Sequence, residues 1–293
     1  MRRALDRAAK RSMRLVSALP GILVGAILIG LFLKSRAVLS LQPLTRLLFS
    51  SAWKPLKGQF GLLAFLSGTL WVTLAAMILA VPVALLTAVY LSEFAPRFVR
   101  SLSKPFIDLL AGIPSVIFGV WGVLLVVPLV ARLAPLFGAY SSGYSVLAGA
   151  IVLAIMILPT IILVSLEVFS AVSRDLRDAS LALGATRWET VKHVVLRRGA
   201  QGLIAAVVLG FSRAFGETMA VLMVVGNVAR VPKSLFDPAY PLPALIANNY
   251  GEMMSIPQTE SALMFSALVL LLVVLAFNFA ARLILTRIER RIQ

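Results

Sequence analysis

The sequence predicts an all-α integral membrane protein with six transmembrane helices. Three observations carry that prediction. The 293-residue chain is 60% hydrophobic, with a mean hydropathy of +0.97. Its uncharged runs cover residues 15–33, 60–91, 109–131, 133–166, 199–212, 218–229 and 261–281, and a spanning helix needs ~20 mostly apolar residues. Runs 199–212 and 218–229 flank Arg213 and Glu217 and read as one helix interrupted by charge. The third observation is the net charge of +16, from 28 Lys and Arg against 12 Asp and Glu. In a chain this apolar, the excess reads as the bias that keeps basic loops inside rather than as a nucleic-acid surface. The absence of cysteine excludes a disulfide scaffold and a thiolate metal site.

Residues 1–14 form a basic tail, and the run 15–33 is the first helix. A basic stretch before an apolar run also describes a signal peptide, but no small-x-small cleavage site precedes Lys34. The unit 15–61 therefore holds the first helix and an outer loop. With the N-terminus inside, 19 of the 28 basic residues lie on the cytoplasmic side and eight outside. Five of those eight are in the first outer loop, which departs from the rule. That loop reads as an interfacial segment whose charge favours an anionic solute.

The permease-like remainder is 62–293. The second helix, about 62–90, carries Gly68-Thr69 and Thr73 in its outer half and Pro82 further in. Small and hydroxyl residues in a span serve close packing, or face Thr69 towards a central path. Lys104 to Asp108 opens the third helix, and the sequence Gly112-Ile113-Pro114-Ser115 bends it. Such a proline is a packing kink, or marks backbone and Ser115 that line a cavity. Residues Pro135, Gly138 and Ser141-Ser142-Gly143 delay the fourth helix to about 144–172. It carries Pro159-Thr160 midway and Glu167 at its inner end. The fifth helix, about 202–226, contains Arg213-Ala-Phe-Gly216-Glu217-Thr218, and the sixth covers 261–285.

Between the fourth and fifth helices lies a polar island, 173–198. Ser173 can cap a short helix whose first turns carry Asp175 and Asp178, the sign a helix N-terminus favours. Gly184 ends it in the left-handed cap position. Thr186 begins a second helix with Glu189 at capping-box spacing. Such a helix–glycine–helix loop is either a docking element for another protein or a solvated linker. The island at membrane depth is different. An ionised side chain there costs ~2.5–3.5 kcal/mol, so Arg213 and Glu217 must face protein or water. Four residues apart, they share one helix face, either as a structural ion pair or as groups on a solute path. The planar fork of arginine suits a tetrahedral oxyanion.

The loop resembles the permease subunits of bacterial ABC importers, whose signature is Glu-Ala-Ala, three residues, Gly, nine residues, Ile, one residue, Leu-Pro. Asp178-Ala179-Ser180 stands for the triplet, Gly184 for the glycine, and Val194-Val195-Leu196 for the end. Arg197 replaces the proline, so the exit from the second loop helix is expected to differ. Residues 90–96, Tyr-Leu-Ser-Glu-Phe-Ala-Pro, and 112–119, Gly-Ile-Pro-Ser-Val-Ile-Phe-Gly, are similar to phosphate permeases. The stretch 216–227, Gly-Glu-Thr-Met-Ala-Val-Leu-Met-Val-Val-Gly-Asn, closely resembles the PstC-type subunits of phosphate-specific importers.

The resemblance covers about 62–285. It implies the MetI-like ABC permease fold, a PstA-like sister permease, two PstB-like ATPase subunits and an extracytoplasmic phosphate-binding protein. It further implies that Asp178, Ala179, Gly184, Ala185, Thr186, Arg187 and Glu189 couple the chain to the ATPase. The substrate path expected beside it is Arg213, Glu217, Thr218, Thr69 and Ser115, passing inorganic phosphate across the lipid bilayer of a bacterial inner membrane. No Gly-x4-Gly-Lys-Ser/Thr loop is present, so ATP hydrolysis belongs to a partner. The rival readings are a permease for sulfate or molybdate, a secondary transporter working alone, and an intramembrane enzyme. One histidine, no cysteine and a single deep carboxylate leave little for the last. No cofactor and no nucleic-acid partner is expected.

Overall fold

A computed structural model of the chain describes residues 2–292, with side chains described for residue 10, residues 12–283 and residue 286. The side chains of Arg2, Arg3, Arg7, Arg11, Arg287, Arg290 and Arg291, counted in the charge argument, lie outside that set. Among the described residues, six helices are long and apolar enough to cross a membrane: Ser12–Leu41, Leu63–Phe94, Ser115–Phe137, Val146–Ala171, Arg187–Phe215 and Pro257–Leu283.

The first helix, α1 (Arg2–Leu41), outlasts the uncharged run 15–33 at both ends. Lys34 ends the run but not the helix, which stops where Pro43 restricts the residue before it. Lys34 instead pairs with Glu260 at 2.8 Å, and the Val38 N–H donates to Ser261 Oγ at 2.9 Å. Both partners lie on α13 (Pro257–Ile292), so the first and last spans pack together. The basic outer loop folds into α2 (Leu44–Phe49) and a ribbon of β1 (Trp53–Lys54) and β2 (Gln59–Phe60). Trp53 meets Phe60 and Phe65 edge-on, with ring centroids 5.7 and 5.0 Å apart.

The centre of the fold is α3 (Leu63–Val89) packed on α7 (Val146–Ala171). Ala76, Ala80, Ala84 and Ala88 recur at every fourth position of α3, and all are buried. Lipid gives helices no hydrophobic reason to associate, so close approach along small residues has to supply the attraction. The last turn of this span, Tyr90–Phe94, widens into a π-type turn closed by an Ala95 N–H to Tyr90 O bond of 2.8 Å.

The third span corrects the expectation of a helix opening at Lys104. Arg97–Gly112 is a separate helix, α4, and the span proper starts at Ser115 with α5 (Ser115–Trp121), continuing through a π-type turn into α6 (Val127–Leu133). Ile113 and Pro114 are both extended, at ψ 128° and 139°, as proline requires of its neighbour. Pro114 thus separates two helices rather than kinking one. In α4, Arg97, Arg100 and Lys104 fall on one stripe, and the exposed Phe98, Leu102, Phe106 and Leu109 on another.

The start of α7 is capped by Ser145, whose hydroxyl accepts from the Ala148 N–H at 3.2 Å. The Val146 and Leu147 N–H groups donate to the carbonyls of Asp237 and Leu235, so the loop after the fifth span closes the fourth. That loop also lies on α3. A Cβ at Gly68 would sit 3.2 Å from the Tyr240 carbonyl oxygen, so any side chain there would press the loop backbone away by a few tenths of an ångström.

After α7 come α8 (Arg174–Ala182) and α9 (Arg187–Thr190), a π-type turn, α10 (Leu196–Phe215), α11 (Met219–Val224) and α12 (Leu242–Met253). The expected second loop helix does not end before a span starting near 202. It runs without interruption from Arg187 to Phe215. Arg197, standing where the family pattern has proline, keeps its N–H and does not break the helix.

Candidate functional site

Two places carry the groups singled out in the sequence: a break deep in the fifth span, and the loop between the fourth and fifth. At the break, α10 ends at Phe215, three residues intervene, and α11 starts at Met219. Arg213 and Glu217 therefore do not share the continuous helix face expected of them, and of the two readings offered for them the ion pair is not formed. Among the described residues the ion pairs within 4.0 Å are Lys34–Glu260 and Arg177–Glu93. Arg213 Nη1 instead donates to Thr160 Oγ1 at 2.6 Å, on the fourth span beside Pro159. Glu217 turns the other way. Its Oε1 accepts from the Ala220 N–H at 3.2 Å, which satisfies a free donor at the start of α11.

This division leaves the guanidinium exposed in the single chain, with a neutral hydroxyl for company. A cation in a span with no carboxylate beside it can accept an anion without first breaking an ion pair. A Cβ added at Gly216 would touch Ser212 O at 3.7 Å, ordinary contact, so the space beside the arginine is open. Thr218 Oγ1 donates to the Gly216 carbonyl at 3.3 Å across the break.

Thr69 and Glu217 line one cavity of roughly a single water's size, together with Thr73. Thr69 is buried and its hydroxyl is fully used: it donates to Phe65 O at 2.8 Å and accepts from the Leu242 N–H at 2.8 Å. It staples the outer loop to α3. Ser115 is half-buried at the first position of α5, which packs through Gly119 on Ala220 and Met223 of α11. The structure therefore brings Thr69 and Glu217 to one cavity, sets Ser115 at the start of a helix packed on α11, and separates Arg213 from Glu217.

The loop has the two-helix start read from its caps. Ser173 Oγ accepts from the Asp175 N–H at 3.2 Å. Thr186 and Glu189 form a reciprocal capping box, with Thr186 N to Glu189 Oε2 at 2.7 Å and Glu189 N to Thr186 Oγ1 at 3.3 Å. Gly184 sits at φ +85°, with its N–H on Leu181 O at 3.0 Å and the Ala185 N–H on Ser180 O at 3.2 Å. These are the two bonds of a Schellman cap. Asp178, Ala179, Gly184, Thr186, Arg187 and Glu189 are exposed, and Ala185 is half-buried.

Sequence reasoning passed over several groups here. Leu183 is 90% exposed and Trp188 is 54% exposed, which puts apolar surface on the outside of a polar loop. Arg177 joins Glu93 through two bonds, and Arg187 lies over the Phe94 ring at 5.3 Å. Thr160 stands out in the sequence only as the neighbour of Pro159 midway along the fourth helix. None of these pairings has a local signal, since the partners are 84, 93 and 53 residues apart. Among the described residues no group of three or more His, Cys, Asp or Glu could hold a metal.

Residues 80–293 match the family described as binding-protein-dependent transport system inner membrane component. The phosphate transport system permease protein PstC of Xylella fastidiosa (strain 9a5c) is 37% identical over 271 residues, covering 87% of this chain and 83% of that protein. The PstC of Haemophilus influenzae is 33% identical over 296 residues, covering 96% and 93%. A probable ABC transporter permease protein of Bacillus subtilis (strain 168), YqgH, is 38% identical over 242 residues, covering 82% and 77%. Among solved structures, the inward-facing MetNI methionine ABC transporter superposes with a TM-score of 0.61 at 19% identity, covering 81% of this chain and 99% of that one. A bacterial ABC transporter that imports the acidic polysaccharide alginate gives 0.62 at 16%, covering 95% and 98%.

Proposed function

The chain belongs to the binding-protein-dependent transport system inner membrane components, and within them to the PstC-type permeases; from that premise we propose that it passes inorganic phosphate through the membrane past Arg213. It is the permease subunit of an ABC-type importer, a multi-pass inner-membrane protein and not an enzyme. The observation that supports the phosphate reading within the chain is the free guanidinium of Arg213. It is held in place by Thr160, with Glu217 occupied at the start of α11. A tetrahedral oxyanion can take two parallel N–H bonds from such a fork.

In this reading the 173–198 loop faces the cytoplasm and seats against a PstB-like ATPase, one of two. A PstA-like permease covers the arginine side, and an extracytoplasmic binding protein delivers phosphate. The exposed Leu183 and Trp188 supply the apolar contact of that seat, and the capped turn at Gly184 gives it shape. The uninterrupted helix from Arg187 to Phe215 then links the seat to the break.

The test is ATP-driven uptake of labelled phosphate by the assembled transporter in proteoliposomes. Uptake should need both the ATPase and the binding protein, and a hundred-fold molar excess (~100-fold, enough to reveal competition at similar affinity) of sulfate or molybdate should leave it unchanged. Competition by either anion would widen the solute class to oxyanions in general, and absence of phosphate uptake with ATP-driven uptake of labelled sulfate or molybdate would replace phosphate with that anion. Uptake by this chain alone would favour a secondary transporter.

A further inference from the structure

Arg177 lies on the first helix of the loop and holds two spans at once. Its Nη2 and Nε donate to Glu93 Oε1 and Oε2 at 2.8 and 3.2 Å, the parallel pair of bonds an arginine makes with a carboxylate. The same guanidinium donates from Nη2 to Phe169 O at 2.8 Å and from Nη1 to Val172 O, the last carbonyls of α7. The two side chains are 18% and 11% exposed, well sheltered for charges at the end of a span. Glu93 itself sits in the wide turn that ends the second span. That turn is braced by Arg100, which donates to the carbonyls of Leu91 and Ser92. The other half of the loop reaches the same turn, through Arg187 over Phe94.

We propose that the Glu93–Arg177 pair is the joint through which displacement of the docking loop moves the second and fourth spans as one body. This proposal rests on the permease reading above. The second and fourth spans already pack extensively on each other, so a load on α8 transmitted at their shared end moves both. Without the pair, α8 stays tied to the second and fourth spans only through the chain at 172–174 and the carbonyl bonds of Arg177, its Ser180–Thr190 bond of 2.9 Å leading to the fifth span instead. An ATPase can then shift α8 while the second and fourth spans stay. A lysine could not serve. Its single ammonium cannot span a carboxylate and two carbonyls in fixed geometry. Arg177 and Glu93 are thus positioning residues, acting on the solute path through the spans rather than by touching the solute.

The experiment uses the full complex, with ATPase and second permease, reconstituted into proteoliposomes with the binding protein. ATP hydrolysis and phosphate uptake are measured on the same preparation for Glu93→Gln, Arg177→Lys and the double variant. Hydrolysis should stay within about two-fold of wild type. Uptake per ATP should fall on the order of ten-fold in each single variant, the size typical of a coupling between distant sites. The double variant should be no worse than either single one, because both remove the same contact. An unchanged ratio overturns the joint, as does a fall of hydrolysis and uptake in step, or a double defect that multiplies the single ones. If Glu93→Gln does not assemble, the milder Arg177→Lys carries the same comparison. Should the wild-type complex itself show no ATP-driven phosphate uptake, the phosphate reading fails and not the joint.

Discussion

Arg213 shows how much one residue can say, and where it stops. A cation at mid-membrane costs ~2.5–3.5 kcal/mol even on the lenient scale, so its importance was legible from its position in an apolar stretch. Its partner was not. Thr160 is 53 residues away, and nothing in its own neighbourhood marks it. Spacing by four also set Arg213 and Glu217 on one helix face, which holds only for an unbroken helix through Gly216, and α10 ends at Phe215. The consequence for mutation is direct. If the two charges do not neutralise each other, Arg213→Gln should abolish uptake, and Arg213→Gln/Glu217→Gln should not restore it. Arg213→Lys separates attraction from geometry: a smaller defect than Arg213→Gln indicates that charge dominates, an equal one that the fork does. Labelled-phosphate uptake by assembled variants reads all three. Recovery in the double variant would revive the structural ion pair.

At the scale of elements, the caps were legible because they are local. Ser173, Gly184, Thr186 and Glu189 each act within a few residues of their position, and each does what its type and spacing predict. The π-type turns and the run from Arg187 into the fifth span were missed. The Pro114 boundary was misplaced although its cause is local, because a proline that holds Ile113 extended separates two helices where a bend in one was expected. Gly184 gives the sharpest test of the loop. A Cβ there would meet no atom within 4 Å, so the demand for glycine comes from φ +85° alone. Left-handed backbone costs ~1–2 kcal/mol for an ordinary residue, more with a branched Cβ, and little for asparagine. Gly184→Val should therefore lose ATP-coupled uptake while the subunit still inserts, whereas Gly184→Asn should keep most of it. Normal co-purification with the ATPase and normal uptake for Gly184→Val would remove the loop from the docking role. The α3–α7 contact makes a different prediction. Ala80→Leu inserts three heavy atoms into a buried stripe, a change that costs roughly 1–3 kcal/mol in a packed core. It should lower the thermal unfolding midpoint of the detergent-purified complex, and Leu86→Ala on the exposed face of the same helix should not.

At the scale of the whole molecule, the distribution of charge predicts an orientation in the membrane. The six spans leave two ends. One carries the 173–198 loop, α4 and the two termini; the other carries the β ribbon, the turn at 138–145 and the segment 226–256. The basic residues favour the first end by 19 to 8, which predicts that it faces the cytoplasm. A residue in the middle of the loop is the natural reporter, but Thr190 is unsuitable because it is buried and bonded to Ser180 at 2.9 Å. Leu183 is 90% exposed and Tyr140, at the other end, is fully exposed, so Leu183→Cys and Tyr140→Cys are the pair to use in a chain that has no cysteine of its own. In intact spheroplasts, a membrane-impermeant thiol reagent should label the Tyr140→Cys variant and spare the Leu183→Cys variant. In inverted vesicles the pattern should reverse, and bound ATPase should then shield the cysteine at 183, because the same exposed apolar surface is the proposed seat. Labelling at 183 from outside would invert the topology and, with it, the direction in which Arg213 hands on its anion.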